Sequence, residues 1–490
     1  MIALKLQLAS EAGALYSGCK TRGELMSKDT AALVDSIRAR EATPLKNALI
    51  GLGGASIEWY DFILYGTAAA LVFPTAFFPA TLSPFVALIA SFSTFAVGFV
   101  ARPLGAVLFG HMGDRVGRKN AFAVALIVMG TATTLIGALP SYRIAGVFSP
   151  LALILLRFTQ GLAVGGQWGG AILLATENAP KSNRGLYGSI AQGGVSVGLT
   201  LANLAFLIVN GAMSPAAFMA YGWRIPFLIS IALIGLGLFM RYRVRETAAF
   251  RGLQQATASP VDLLAKSATP AATPVRGHRS PVLEALRLYP RSILLAAGAW
   301  VWGNLAFYIM ITYVIAYGTS SAGLGLPRSL MLTAALLAQV VVPPTLVFAG
   351  MLSDRYGRRR IFMTGVVLTG IWAFFLFPLI ETRSLLWITV AIGMGSSTML
   401  LSYGPLAAMF SELFTTRVRY SAVSLAYQTS AIVGGGVGPI VATALYARYH
   451  TNSWLAIFIS ATCVMSLVCV SALKETRGTD PVERPEPAVA

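Results

Sequence analysis

The sequence predicts an all-α polytopic membrane protein, with twelve transmembrane helices in two pseudo-symmetric six-helix bundles. Three observations carry this. Of the 490 residues, 56% are hydrophobic and only 11% are charged, where a soluble domain carries about a quarter; the mean hydropathy is +0.70. The apolar residues come in runs of about 20 or more, the length a helix needs to cross a bilayer. The two halves also repeat the same landmarks in the same order. Solid apolar runs exclude a soluble enzyme, a disordered chain and a disulfide scaffold, and they exclude an outer-membrane barrel, whose short strands alternate.

Hydropathy read against helix breakers places spans near 47–72, 84–109, 120–139, 150–177, 187–210, 224–242, 291–317, 328–351, 361–380, 385–410, 421–446 and 453–472. The first carries two acids, Glu58 and Asp61, three residues apart and so on one helix face. The second carries Arg102 and runs into the loop GHMGDRVGRK, Gly110–Lys119. The fourth carries Arg157, and Gln160 shares its face. Gly161-x-x-x-Gly165 on the fourth span and Gly434-Gly435-Gly436 on the eleventh suit close backbone packing, and inside solid apolar helices they are not nucleotide loops. Between the sixth and seventh spans, residues 243–290 are rich in Pro, Ala, Thr and basic residues and read as a linker with a short amphipathic helix. The expected organisation is a tail (1–46), a first bundle (47–242), that linker, a second bundle (291–473) and a second tail (474–490). Residues 1–45 lack a basic stretch followed by an apolar core, so no cleavable signal is expected; Met26 offers an alternative start.

Charge supplies orientation. Lys and Arg number 37 against 19 Asp and Glu, a net +18. In a soluble chain that excess would point to nucleic acid. Here it collects in loops after even-numbered spans: Arg115, Arg118 and Lys119; Lys181 and Arg184; a dense set from Arg241 to Arg291; Arg355, Arg358, Arg359 and Arg360; Arg417 and Arg419. Loops after odd-numbered spans hold single residues such as Arg143, Arg328, Arg383 and Arg448. The positive-inside rule then puts both termini and the linker in the cytoplasm. Cys19, Cys463 and Cys469 fall in a tail and the last span, and His111, His278 and His450 at span ends or in the linker. No metal or other cofactor is expected, and no enzyme chemistry, which needs convergent acids, histidines or ligands at a membrane face.

The repeat is specific. GHMGDRVGRK is answered by GMLSDRYGRR at Gly350–Arg359, Glu177 by Glu412, Arg184 by Arg419, and Arg245-Glu246-Thr247 by Lys474-Glu475-Thr476. Parallel repeats of this kind place a site at midplane between the halves and let one rock against the other. Together with IEWYDFILYG (57–66), ARPLGAVLFGHMGDRVGRK (101–119), RFTQGLAVGGQWGGA (157–171), GWRIPF (222–227) and SELFTTRVRYSAVSLAYQ (411–428), the chain resembles the major facilitator superfamily, and within it the metabolite:proton symporters that include shikimate, α-ketoglutarate, citrate and proline/betaine carriers. The resemblance covers about residues 47–477. It implies a cytoplasmic-membrane carrier, functional as a monomer, whose partners are a small solute, protons and the bilayer. Gln167 stands where many relatives have Glu, which weakens a cationic-substrate reading. The short proline-bearing tail after Glu475 lacks the long coiled coil common in osmosensing betaine carriers.

Charges inside spans are costly and are functional candidates by default. Helix rise level-matches Asp61 with Arg157 and Glu58 with Arg102. Desolvation favours a carboxylate's protonated form and a nearby guanidinium its ionised form, so opening and closing can trade a proton; the resemblance supports Asp61 and Arg157 in that role. The alternative for each pair is a permanent ion pair fixing helix packing; the functional reading is the preferred one for Asp61 and Arg157. Arg157 also suits a substrate carboxylate through its planar fork. Gln160, Tyr60, Gln192, Asn304, Tyr308, Gln339, Tyr427 and Gln428 are candidate substrate contacts, with Trp59 and Tyr403 beside them, and each reads equally as interhelical glue. In the repeated loops, Gly113 and Gly117 allow a tight turn, Asp114 suits a helix N-terminus, and Arg115, Arg118, Arg355 and Arg358 can reach Glu177 and Glu412. The resemblance makes these residues, with Asp354, an inside gate. The expected function is proton-coupled uptake of an organic carboxylate, with a zwitterionic compatible solute or drug efflux as alternatives.

Overall fold

The structure is a computed structural model, describing residues 45, 48–49, 51–116, 118–165, 172–173, 175–176, 179–242, 281–415 and 418–478. Residues Ala48–Ala490 form one compact unit. Its long helices are α1 (51–71), α2 (Pro84–Val116), α3 (Arg118–Ala138), α4 (Phe148–Val164), α5 (Arg184–Ala212), α6 (Ile225–Tyr242), α7 (Pro290–Thr319), α8 (Arg328–Tyr356), α9 (Arg358–Glu381), α10 (Leu385–Leu413), α11 (Arg419–Tyr449) and α12 (Ser453–Ala472). Eight of the described helices are long and apolar enough to span a membrane, and shorter apolar helices cover Ala123–Ala138, Phe148–Val164 and Gly222–Ala232. Leu155, Ile231 and Val468 are about two-thirds exposed. An outward apolar belt of this kind is a surface for lipid, since in water such patches associate.

The expected spans and these helices overlap, several ends running further, while the second part of the fourth span, from 166, lies largely outside the described residues. Helix α2 continues past residue 109 to Val116, and α8 past 351 to Tyr356. Both extensions are polar, and they carry the repeated loop motif out of the apolar layer. Pro103, Pro378 and Pro405 lie inside α2, α9 and α10; neighbouring helices can satisfy the carbonyls such prolines free. In the linker, Pro281–Leu288 is a short helix with Glu284 and Arg287 on it, and residues 243–280 lie outside the described residues.

Within the first bundle α2 packs on α4, α3 on α4 and α3 on α6; within the second, α9 packs on α10 and α12, and α7 on α11 and α12. The α2–α4 contact shows what the glycines do. A β-carbon on Gly161 would run into the carbonyl of Gly98, and one on Gly165 into that of Arg102. Close packing of this kind is the expected small-residue seam.

Across the bundles α5 packs on α10, and two further contacts join them: α5 lies against α8, and α2 against α11. A six-helix repeat maps α2 onto α8 and α5 onto α11, so these are one contact seen twice. Helix α7 completes the seam, with Phe307 against Trp59 and Tyr308 against Phe62 of α1. Helices α7 and α11 each contain a π-helical turn, Ile309–Tyr313 and Ile432–Gly436, and such turns often mark functional positions. We call the end at which α5, α9 and α11 begin, with Arg184, Arg358 and Arg419, the basic end.

Candidate functional site

Among the described residues the buried charges are Glu58, Asp61, Arg102, Arg157, Arg358, Glu412 and Arg419. The first four are the intramembrane set expected from sequence. The two pairings expected among them do not close: neither Asp61 with Arg157 nor Glu58 with Arg102 appears among the ion pairs of the described residues. Aromatic rings take the guanidinium faces instead. The Arg157 guanidinium carbon lies 4.2 Å from the ring centroids of Phe62 and Tyr65 and 4.6 Å from that of Phe95. That of Arg102 lies 4.3 Å from Phe62 and 4.6 Å from Phe99. Stacking of this type is worth about 0.5–2 kcal/mol per desolvated contact, enough to compete with an ion pair whose partners must both be dehydrated.

Hydrogen bonding replaces the direct Asp61–Arg157 contact. Asp61 accepts from the Ser230 hydroxyl of α6 at 2.6 Å. Arg157 Nη1 donates to Gln160 Oε1 at 3.0 Å, and Gln160 Nε2 donates to Thr133 of α3 at 2.7 Å. Gln160 thus shares the Arg157 face as expected, while Ser230 and Thr133 were not singled out, because a hydroxyl in an apolar run carries no distinctive signal. Arg157 Nε and Nη2 and Arg102 Nε are buried without a hydrogen-bond partner. Each unmet donor in a dry interior costs about 1–3 kcal/mol.

A central cavity of about 50 Å³ lies between the bundles. It is apolar and aromatic, with Trp59, Trp300, Phe307, Tyr403 and Tyr427 in its wall, and its polar lining comes from Ser196 and Asn203 of α5, Asn304 of α7, Gln339 of α8 and Ser396 of α10. Among the described residues no charged side chain lines it. Of the expected substrate contacts, Asn304, Gln339 and Tyr427 face this space. Others do not. Tyr60 donates to the Pro226 carbonyl of α6 at 2.9 Å, Gln192 to the Tyr403 carbonyl of α10 at 2.9 Å, and Gln428 to the Gly165 carbonyl of α4 at 3.3 Å. These three are interhelical bridges here, as amides and hydroxyls commonly are. Tyr308 is buried one layer back, its ring against Phe62, Phe95, Phe99 and Phe307. Arg157 and Gln160 likewise lie behind that layer. Ligand-sized pockets run to about 300–1,000 Å³, so this cavity is small beside them.

Both ends of the seam are bridged. At the basic end Asp354 of α8 accepts from the backbone N–H of Gly185 and of Leu186, both at 2.9 Å. A carboxylate on the first turn of α5 is favoured by the unpaired amides and the helix dipole there. Arg358 Nη1 donates to Asp354 and Ser353, and Nη2 and Nε meet Glu412 at 3.4 Å. The acid therefore caps a helix of the opposite bundle rather than its own. Beneath it, Gly357 alone joins α8 to α9 with φ +106°, a backbone conformation that strains any residue with a β-carbon. Glu475, quoted from sequence only as a repeat landmark, accepts from the N–H groups of Arg358, Arg359, Thr476 and Arg477. Arg355 is exposed beside the Tyr356 ring and takes no part. Gly117, Gln167 and Glu177 lie outside the described residues, and Gly113, Asp114, Arg115 and Arg118 are described as backbone alone. At the other end, Tyr446 of α11 packs on Phe85 of α2 and on Tyr317, and Arg328 lies over Phe218.

Comparison with known proteins agrees with this architecture. A family model described as "Sugar (and other) transporter" matches residues 46–483. The shikimate transporter of Escherichia coli K12 is 38% identical, over 90% of this chain and 95% of its own. The inner membrane metabolite transport protein YhjE of the same strain is 37% identical, over 89% and 97%. A proline/betaine transporter of that strain is 30% identical, over 86% and 82%. Among solved structures, a D-xylose–proton symporter superposes with a TM-score of 0.67 at 19% identity, covering 88% of this chain and 98% of that one. A twelve-helix, two-bundle membrane protein with a central cavity is a transporter and not an enzyme: the chain belongs to the sugar-and-other-transporter family of the major facilitator superfamily.

Proposed function

We propose that this chain takes up a small organic carboxylate with protons by alternating access, across a bacterial cytoplasmic membrane. The observation that carries this is the pair of buried guanidinium groups, Arg157 and Arg102, whose N–H donors at Nε, and at Nη2 of Arg157, are unspent one aromatic layer from the cavity wall. A carboxylate is the group that satisfies such a fork. Movement of Phe62 or Tyr308 as the bundles part would bring the two together. Asp61, held in the same bundle by the Ser230 hydroxyl, is the proton carrier, and Glu58 beside Arg102 its companion. The similarity to a shikimate transporter supports the substrate class.

The basic end is cytoplasmic by its arginines, so both termini lie inside and the Asp354–Arg358–Glu412 cluster is the inner gate, its first-half counterpart being Asp114, Arg115, Arg118 and Glu177. One chain supplies both bundles and every wall of the cavity, which supports a functional monomer. The test is accumulation of labelled carboxylate in vesicles with an imposed proton gradient. Accumulation that persists after the pH gradient and voltage are collapsed would overturn the reading. A zwitterionic solute is the second reading, favoured by the aromatic cavity wall, since ring faces attract quaternary ammonium, and by the 30% identity to a proline/betaine transporter.

A further inference from the structure

The central cavity has polar atoms that its own wall does not satisfy, and they come from both bundles. Trp300 Nε1, Asn203 Nδ2 and Gln339 Oε1 are buried without a hydrogen-bond partner, and all three side chains line the cavity. The Ser396 hydroxyl faces only the Met310 sulfur, at 3.9 Å, a weak acceptor. Asn203 is held by Thr67, whose hydroxyl lies 3.3 Å from Oδ1; whichever way the amide is turned, one of its two polar atoms pairs and the other is left. Of the rest of the lining, Ser196 and Asn304 are polar, with the Asn304 amide donating to Ser430; the remainder is apolar or aromatic, and Trp300 stacks on Tyr403 with centroids 5.4 Å apart. Polar groups left unpaired in such a place are costly unless a ligand meets them.

The mixture of donors and acceptors selects the ligand. A trimethylammonium group offers neither, and would leave all of these atoms unpaired. A second carboxylate offers acceptors only and finds no cation in the lining. A hydroxyl both donates and accepts, so it can meet an indole N–H, an amide oxygen, or either atom of the Asn203 amide. The carbon faces of a hydroxylated ring suit the Trp300 and Tyr403 rings.

We infer that the cavity receives a ring bearing several hydroxyl groups, so that the transported class is a small polyhydroxylated carboxylate rather than a betaine or a plain dicarboxylate. This rests on the carboxylate reading above, which assigns the acid group to Arg157; the hydroxyl assignment belongs to Trp300, Asn203, Gln339 and Ser396.

Tryptophan fluorescence of the purified full-length chain reads binding, since Trp59 and Trp300 are in the wall. Four probes are titrated: shikimate (a trihydroxylated ring carboxylate), cyclohexanecarboxylate, glycine betaine and myo-inositol. Shikimate should bind at least about tenfold more tightly than cyclohexanecarboxylate, because a site built to hydrogen-bond hydroxyls rejects the analogue lacking them. Gln339→Ala and Asn203→Ala should each narrow that ratio by weakening shikimate alone. Equal binding of shikimate and cyclohexanecarboxylate by the unaltered protein overturns the inference and leaves the carboxylate reading standing. Inositol binding as tightly as shikimate keeps the hydroxyl assignment and removes the carboxylate one. Betaine binding more tightly than either acid overturns both. The probe series needs no variant, so a substitution that fails to fold does not decide the outcome.

Discussion

Phe62 carries two guanidinium groups on one ring, and its neighbour in sequence is the acid proposed to move the proton. On the proposed function, that adjacency sets the substrate and proton groups side by side. Asp61 is 2% exposed and accepts from the Ser230 hydroxyl, so a proton can reach it from water only through a change in packing. Asp61→Asn should abolish substrate-driven proton uptake while counterflow exchange persists in part, as read by vesicle acidification and labelled exchange in parallel. Arg157→Lys keeps the charge and loses the planar fork. It should raise the half-saturating carboxylate concentration by roughly tenfold, the equivalent of one charge-assisted hydrogen bond of about 1.4 kcal/mol, whereas a role limited to filling the aromatic cage would leave that concentration unchanged.

At the scale of elements, α5 and α8 make a latch. Asp354 satisfies two amides at the N-terminus of α5, and Arg358 ties that acid to Glu412 of α10. Asp354→Asn removes the charge from the helix end at a cost of about 1–2 kcal/mol and should shift the population toward a parted basic end. Spin labels at Ser182→Cys and Tyr356→Cys should report a longer distance in that variant; an unchanged distance distribution would mean the latch does not set the equilibrium. Gly357→Ala addresses the turn beneath it. The left-handed backbone and a β-carbon 2.8 Å from a Glu475 oxygen predict a loss of about 1–3 kcal/mol, seen as a lower thermal midpoint in detergent.

For the whole molecule, two related contacts, α5 on α8 and α2 on α11, flank one cavity, and each end is bridged by different chemistry. Charged groups and helix amides close the basic end, while Tyr446, Phe85 and Tyr317 close the other. A cavity of about 50 Å³ between bridged ends is far smaller than a ligand-sized pocket of about 300 Å³ or more. Rocking about the seam must break one set of bridges at a time. Dissipating the proton gradient should therefore remove accumulation but leave facilitated equilibration, measured as the ratio of internal to external labelled solute falling to about one.

The class, the helices and the list of costly charges were all legible along the chain. Long apolar runs, an excess of arginine in alternate loops and a repeated DRxGR loop survive in any arrangement of neighbours, so they can be read along the chain. Asp61, Arg157 and Gln160 were legible for the same reason: an acid, a cation or an amide inside such a run stands out wherever it faces. Which side chains meet emerged from the folded arrangement. Helix rise placed Asp61 level with Arg157, yet level does not give rotation, and the rings of Phe62, Tyr65 and Phe95 took the guanidinium instead. Tyr60, Gln192 and Gln428 turned from solute contacts into bridges because a neighbouring helix offered a carbonyl. Asp354 found the N-terminus of α5, 168 residues away from Leu186 in sequence. Side-chain direction and cross-bundle pairing depend on packing among helices distant in sequence, and no local pattern encodes them.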